Sequence, residues 1–210
     1  MKSERVNQYL TLLAKVVSLI FHPLLMPLYG LLVIFYAPTI LAYLPSAVKK
    51  ILFLIILINN VFVPLSLMPY FRYRNIITSW AIKERKERIL PLIVTSVLYS
   101  VTAYVIYRFK IPGFIKSYIL VSAFLVIAVT ILNFWWKVSI HSAGAGAVTA
   151  LIAILSVLMQ ADLTGLLVIA ILITGIVMSA RLYLNSHKPA EVWTGLLLGM
   201  AGSGLTLLIL

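Results

Sequence analysis

The feature that most constrains this chain is a succession of apolar segments, each near the length of a membrane-spanning helix. About 20 consecutive apolar residues cross the hydrocarbon core as a helix, and in lipid every backbone polar group must be bonded within the protein. The segments lack the alternation typical of barrel strands. We therefore predict an all-α, polytopic membrane helix bundle of six or seven spans. The segments are residues 24–44, 48–70, 89–109, 114–136, 142–160, 163–184 and 192–210.

The composition supports the same conclusion. Hydrophobic residues make up 63% of the 210 residues and charged residues 10%, too few to cover a soluble domain of this size. The formal net charge of +12 is carried mainly by short loops, which favours membrane lipids with anionic headgroups as partners and not nucleic acid. Because the chain has no cysteine, thiolate chemistry and disulfides are excluded. Since no linker is evident, we treat residues 1–210 as a single membrane domain.

Residues 1–21 form a distinct N-terminal segment. Its apolar residues recur at steps of three and four and its polar residues lie opposite, which is typical of an interfacial amphipathic helix. Pro23 and Pro27 then interrupt the helix. His22 lies at this break, and we expect it to cap the next turn, with a place at a functional site as the alternative. The chain has seven spans if residues 24–44 cross the membrane, and six if they are re-entrant.

Polar residues are concentrated in three loops, residues 71–88, 136–141 and 181–191. Two apolar segments separate each loop from the next. An even number of crossings returns the chain to the same side of the membrane, so we expect the three loops to meet at one face. The histidines of the chain all lie at predicted span ends; they are His22, His141 and His187.

The loop from Arg181 to Glu191 carries the most chemical information. His187 precedes Pro189, which suits the first turn of a helix, and Glu191 follows in that turn. A carboxylate four residues along can hydrogen-bond the imidazole, hold one tautomer and stabilise the cation formed on attack. Arg181 can bind a phosphate. The alternative is an interfacial arginine beside a helix-capping glutamate.

The loop that ends at His141 leads into a helix rich in small residues. A helix N-terminus presents free N–H groups to an anion, and Lys137 and Ser139 would add donors. His141 can act as a proton donor. The alternative is a Gly/Ala helix shaped only by packing.

The charged run of residues 83–91 precedes another span. Arg85 and Arg88 are three residues apart, so on a helix they share a face and can bind one phosphate together. The alternative is a loop that faces the lipid headgroups.

Together these residues resemble the signatures of the type 2 phosphatidic acid phosphatase superfamily. Arg181, His187 and Glu191 have the spacing of its third signature: Ser-Arg, five residues, His, three residues, Asp. Ser139-Ile140-His141 is similar to the second, Pro-Ser-Gly-His, and residues 83–91 lie where the first belongs. The resemblance covers about residues 83–199, and the corresponding core is about residues 83–210. The chain departs from the signatures at Ala81, Ile89, Val138, Ile140, Ala180 and Glu191.

The resemblance implies metal-independent hydrolysis of a lipid or polyprenyl phosphate or diphosphate, with no cofactor. His187 would attack phosphorus to form a phosphohistidine, and Glu191 would orient it. His141 would protonate the leaving group and then activate water. Cationic and hydroxyl side chains would neutralise the phosphoryl oxygens. These predicted phosphate ligands are Lys83, Arg85, Arg88, Lys137, Ser139 and Arg181.

Other functions are weighed against this one. The chain has only five acidic residues, too few for the paired Asp-rich motifs that hold magnesium. A metal site of His141, His187 and Glu191 is chemically possible, but the surrounding cations disfavour it. The non-enzymatic alternative is a lipid-headgroup-binding or transport protein on a degenerate phosphatase scaffold. Asn59 and Asn60 fit either a polar transport pathway or interhelical hydrogen bonding, and we favour the latter.

The distribution of basic residues bears on the orientation. Twelve lie on the face of the three polar loops and five on the other, which indicates a cytoplasmic site by the positive-inside rule. Without the candidate phosphate ligands and Lys86, the balance is six against five. The resemblance implies an extracytoplasmic site, and we expect a multi-pass protein of a prokaryotic cytoplasmic membrane oriented in that way.

Overall fold

A computed structural model describes residues 2–80, 82 and 84–209, which form helices and no β-strand. The predicted all-α class is confirmed for this part of the chain. Seven helical stretches in it are long and apolar enough to cross a membrane. They are Asn7–Tyr36, Ser46–Tyr73, Lys86–Tyr107, Gly113–Asn133, Ile140–Leu158, Thr164–Tyr183 and Pro189–Leu208.

The first of these stretches is broken where the prolines predict. Helix α1 (Lys2–Ile20) ends before a 3-10 turn (Pro23–Leu25), and α2 (Met26–Tyr36) follows. The segment predicted at 24–44 is not one helix, because Pro38 forces Ala37 into an extended conformation with ψ 148°. The other helices are α3 (Ser46–Ile56), α4 (Val63–Tyr73), α5 (Ile89–Tyr107), α6 (Gly113–Asn133), α7 (Ile140–Leu158), α8 (Thr164–Tyr183) and α9 (Pro189–Ile209).

Although short, α2 reaches the end of the bundle opposite the three polar loops. Lys49 Nζ donates to the carbonyl oxygens of Phe35 and Ala42 at 3.0 and 2.6 Å, which joins the end of α2 to the start of α3. The stretch from α3 to α4 runs antiparallel to α5, with Asn59 Nδ2 2.8 Å from the carbonyl oxygen of Leu98. Lys49 therefore lies near the α5–α6 connection, and the structure favours seven spans over a re-entrant segment.

A π-helix (Leu57–Phe62) joins α3 to α4 and carries both asparagines. It precedes Pro64, which lacks the N–H that would continue an α-helix. Asn59 Nδ2 donates to Thr102 Oγ1 at 2.6 Å, and that hydroxyl donates to Asn60 Oδ1 at 2.6 Å. The expected interhelical hydrogen bonding of these asparagines is thus confirmed.

The packing of α7 against α9 positions two of the polar loops. Gly199 lies against the α7 backbone, where a Cβ atom would clash with the carbonyl oxygen of Ala143. Small residues allow such close approach of helix backbones. Since α7 begins at Ile140 and α9 at Pro189, this contact brings together the loops that precede them.

Helix α1 packs against α8 and exposes much of its apolar surface. Tyr183 Oη donates to the carbonyl oxygen of Asn7 at 3.3 Å, and Ser18 is buried. Leu10 and Leu13 are exposed, as expected of side chains that face lipid. The location of α1 in the headgroup layer stays a prediction.

Candidate active site

A large cavity leads from the three polar loops into the helix bundle. Its inner wall is mostly apolar and is formed by α2, α4, α5, α6, α7 and α9, as far as Leu207 near the end of α9. The empty volume between the lining atoms is about 1530 Å³, including the part that is open to the outside. A polar end that continues into an apolar cavity suits an amphiphilic ligand. The charged and imidazole side chains at the polar end are His22, Arg88, His141, Arg181 and His187.

His187 and Glu191 form the hydrogen bond expected from their spacing. The distance from His187 Nδ1 to Glu191 Oε2 is 2.7 Å, and the side chains are 1% and 13% exposed. Pro189 begins α9, so Glu191 lies in its first turn, where Oε2 also accepts the Lys188 N–H at 3.3 Å. Because a carboxylate accepts, the His187 proton is on Nδ1 and the lone pair is on Nε2.

Arg88 faces the lone-pair nitrogen of His187. Its Nη1 is 3.4 Å from His187 Nε2, and its Nε donates to the carbonyl oxygen of Ile82 at 2.8 Å. The residue ends a 3-10 turn (Lys86–Arg88) and is only 8% exposed. An anion that approached His187 Nε2 would therefore meet this guanidinium, with which it can form charge-assisted hydrogen bonds.

The surroundings of His187 keep its imidazole neutral. Burial, followed by the charges of Arg88, Arg181 and Lys137, lowers the pKa of His187 to about 3. A neutral imidazole has a free lone pair, which a nucleophile requires.

His141 lies in the first turn of α7, beside the N-terminal segment. Its Nε2 is 3.1 Å from the carbonyl oxygen of Ser18. Since a carbonyl only accepts, the His141 proton is on Nε2, and Nδ1 carries the lone pair.

His22 combines the two roles that the sequence left open. Its Nδ1 accepts the N–H of Leu24 at 3.3 Å and so caps the 3-10 turn. Its ring also lines the cavity and meets the His141 ring edge to face, with 5.6 Å between the centroids.

Arg181 is held in the last turn of α8 with donors still available. Its Nη1 donates to Ser18 Oγ at 3.2 Å. Its Nε is buried and has no hydrogen-bond partner among the described residues. Arg181 also lines the cavity, so its other guanidinium N–H groups can form charge-assisted hydrogen bonds with an anion there.

The remaining predicted phosphate ligands do not line the cavity in the described part of the chain. Arg85 Nη1 donates to the carbonyl oxygens of Asn133, at 3.0 Å, and Phe134. Arg85 therefore joins its loop to the end of α6. We had expected Arg85 and Arg88 to bind one phosphate together, but only Arg88 of the two lines the cavity. The divergence arises because the carbonyls at the end of a helix compete for its donors.

Ser139 and Lys137 bind protein groups instead. Ser139 is fully buried as the N-cap of α7, and its Oγ accepts the Ser142 N–H at 3.4 Å. Lys137 Nζ donates to the carbonyl oxygen of Ser186 at 3.0 Å, and partial burial lowers the pKa of Lys137. Lys83 lies outside the described residues.

Ser18 is a site residue that the sequence did not indicate. It is one of the polar residues of the N-terminal segment, and no local pattern predicts its partners, which are more than a hundred residues away. No group of three His, Cys, Asp or Glu side chains arranged to hold a metal occurs within the described residues.

Comparison with known proteins does not assign a family. The chain matches no protein-family model, and no curated protein or solved structure matches it. Its function is therefore inferred from the residues around the cavity.

Proposed function

We propose that this membrane protein is a metal-independent phosphatase of lipid or polyprenyl phosphates or diphosphates. The observation that carries the proposal is the arrangement around His187, whose Nδ1 is bonded to Glu191 while Nε2 faces Arg88. This arrangement lies at the polar end of a long apolar cavity. A nucleophilic histidine needs such an oriented ring with a free lone pair, and the chain of a lipid substrate needs such an apolar cavity.

In the first step, His187 Nε2 attacks phosphorus. A P–N bond forms, and the P–O bond to the leaving alcohol or phosphate breaks. The negative charge of the bound phosphate favours the protonated form of His141, which gives its proton to the leaving oxygen. The positive charge that develops on His187 is stabilised by the Glu191 carboxylate at 2.7 Å.

In the second step, water attacks the phosphorus of the phosphohistidine. His141 takes a proton from the water, the P–N bond breaks, and His187 regains its lone pair. Inorganic phosphate then leaves from the polar end of the cavity.

Arg88 and Arg181 supply the electrostatic stabilisation. Arg88 is next to the attacking nitrogen, and Arg181 lines the polar end of the same cavity. In phosphoryl transfer, positioning and neutralisation of the equatorial oxygens account for most of the catalysis. Of the predicted phosphate ligands within the described residues, these two line the cavity, whereas Arg85, Lys137 and Ser139 bind protein groups.

The direct test is phosphate release by the detergent-purified protein with EDTA present. The substrates are phosphatidic acid, phosphatidylglycerol phosphate, undecaprenyl diphosphate and lipid A. We expect release from at least one of them, abolished by His187→Asn and strongly reduced by His141→Asn. EDTA-sensitive release would indicate a metal site instead. No release with lipid binding intact would indicate the headgroup-binding or transport alternative.

On the basis of the resemblance, we further propose that the polar end opens outside a prokaryotic cytoplasmic membrane. Because the chain has no cysteine, single cysteines report on sidedness directly. Trp135→Cys, an exposed position in the connection between α6 and α7, should react with a membrane-impermeant maleimide on intact cells, and Lys50→Cys should not. The reverse pattern would place the site in the cytoplasm.

A further inference from the structure

The N-terminal helix contributes a residue that contacts two side chains of the candidate site. Ser18 accepts from His141 Nε2 through its carbonyl oxygen at 3.1 Å and from Arg181 Nη1 through its hydroxyl at 3.2 Å. Ser18 is 9% exposed, so water competes little for either contact. Three different helices, α1, α7 and α8, meet at this one residue.

The carbonyl contact determines which nitrogen of His141 can act on substrate. A carbonyl oxygen cannot donate, so the contact requires a proton on His141 Nε2 in both the neutral and the protonated imidazole. Only Nδ1 then gains and loses the catalytic proton. The hydrogen bond from Nε2 to the Ser18 carbonyl oxygen thus sets the tautomer of His141.

The hydroxyl contact restricts Arg181. A free arginine side chain loses rotamer entropy when it is ordered on a ligand. Because one Nη is already anchored to Ser18, much of this ordering precedes binding. Because Arg181 lines the cavity, its remaining guanidinium N–H groups are available to an anion.

We propose that Ser18 is a positioning residue, which holds His141 in the Nε2–H tautomer and orients Arg181 toward the phosphoryl group. Its kinetic consequences rest on the proposed phosphatase function, whereas the tautomer and the binding of inorganic phosphate do not. By this assignment α1 is part of the site, although it lies outside the stretch that carries the family resemblance.

The hydroxyl is tested by comparing Ser18→Val with Ser18→Thr, which have nearly the same shape and differ in the hydroxyl. We expect Ser18→Val to raise the KM of the lipid phosphate and the inhibition constant of inorganic phosphate about tenfold, because Arg181 must then lose its rotamer freedom when the anion binds. Ser18→Thr should restore both constants to within about twofold of wild type.

Thr11→Val is the matched control on the same helix, because Thr11 Oγ1 donates only to the carbonyl oxygen of Asn7 within α1. It should leave both constants unchanged. A purely structural role of Ser18 would lower the active fraction, and so kcat, without changing either constant. That result, or wild-type constants in Ser18→Val, would overturn the proposal.

The carbonyl contact is tested by 15N NMR of protein labelled at its three histidines. The variant His141→Asn identifies the His141 signals by their loss. We expect the neutral ring to be protonated on Nε2, and protonation on Nδ1 would overturn the proposal. If no lipid phosphate is hydrolysed, the proposed function fails, while this spectrum and 31P titration of inorganic phosphate still decide the role of Ser18.

Discussion

Replacing Glu191 by glutamine tests whether its charge, and not only its hydrogen bond, supports His187. The glutamine keeps the length of the side chain and an oxygen that can accept the His187 Nδ1–H. What it loses is the negative charge 2.7 Å from a ring that becomes cationic during attack. The substitution therefore isolates electrostatic stabilisation of the transition state.

The magnitude follows from the geometry. The separation is typical of a charge-assisted bond, which is about twice as strong as a neutral one. With both side chains largely buried, solvent screens the pair little. The charge-assisted bond should stabilise the transition state by about 1.4 kcal/mol more than the neutral bond, so kcat should fall about tenfold for Glu191→Gln. Glu191→Ala removes the whole bond and should lower kcat on the order of a hundredfold.

The assay is steady-state phosphate release, with thermal unfolding measured in parallel. Glu87→Gln is the matched control, because Glu87 accepts the Thr78 N–H at 3.2 Å on the same face but does not line the cavity. It should change kcat less than twofold. Equal effects of the two glutamine substitutions, or a Glu191→Gln enzyme that loses only thermal stability, would refute the reasoning.

Three further predictions concern residues whose roles the structure separates. Arg85→Ala should lower the free energy of unfolding by about 1–2 kcal/mol, because it removes hydrogen bonds to helix-end carbonyls, and it should leave KM unchanged. A tenfold rise in KM without a change in thermal stability would instead show that Arg85 binds the phosphate. Gly199→Ala should lower thermal stability because its Cβ would clash with Ala143. Gly165→Ala should not, because the added Cβ has no neighbour within 4 Å. Equal effects of the two substitutions would contradict the close packing of α7 against α9. The His187 pKa of about 3 lies below its ordinary value of 6.5, so the unfolded chain takes up the proton first. Its contribution to stability should be fully present above pH 6.5 and fall progressively below it, and pH-dependent thermal unfolding that is identical in wild type and His187→Asn would contradict this.

The arrangement of the polar loops could be predicted because it depends only on the number of membrane crossings between them. Each pair of apolar segments returns the chain to the same face, so Arg88, His141 and His187 meet although about 50 residues separate each from the next. The His187–Glu191 bond was also predictable, because a spacing of four at a helix start fixes the geometry.

The roles of Arg85 and Ser139 could not be predicted, because each satisfies a helix terminus as well as it would satisfy a phosphate. Arg85 binds carbonyls at the end of α6, and Ser139 caps α7. A sequence shows the donors but not which acceptor is nearest. Ser18 was missed for a related reason, since its partners come from helices far along the chain.

The length of α2 was mispredicted for a local reason. Hydropathy continues to residue 44, but Pro38 ends the helix at Tyr36. The main core nevertheless includes α2, where Leu31 and Ile34 are fully buried. Apolar character therefore predicted the burial of this segment better than its secondary structure.

The covalent phosphohistidine can be detected by rapid quenching of the enzyme during turnover of a 32P-labelled lipid phosphate. We expect labelled protein, stable in alkali and labile in acid, with the phosphoryl group on His187 and no label in His187→Asn. Turnover without labelled protein at any quench time, or a label on another residue, would contradict it.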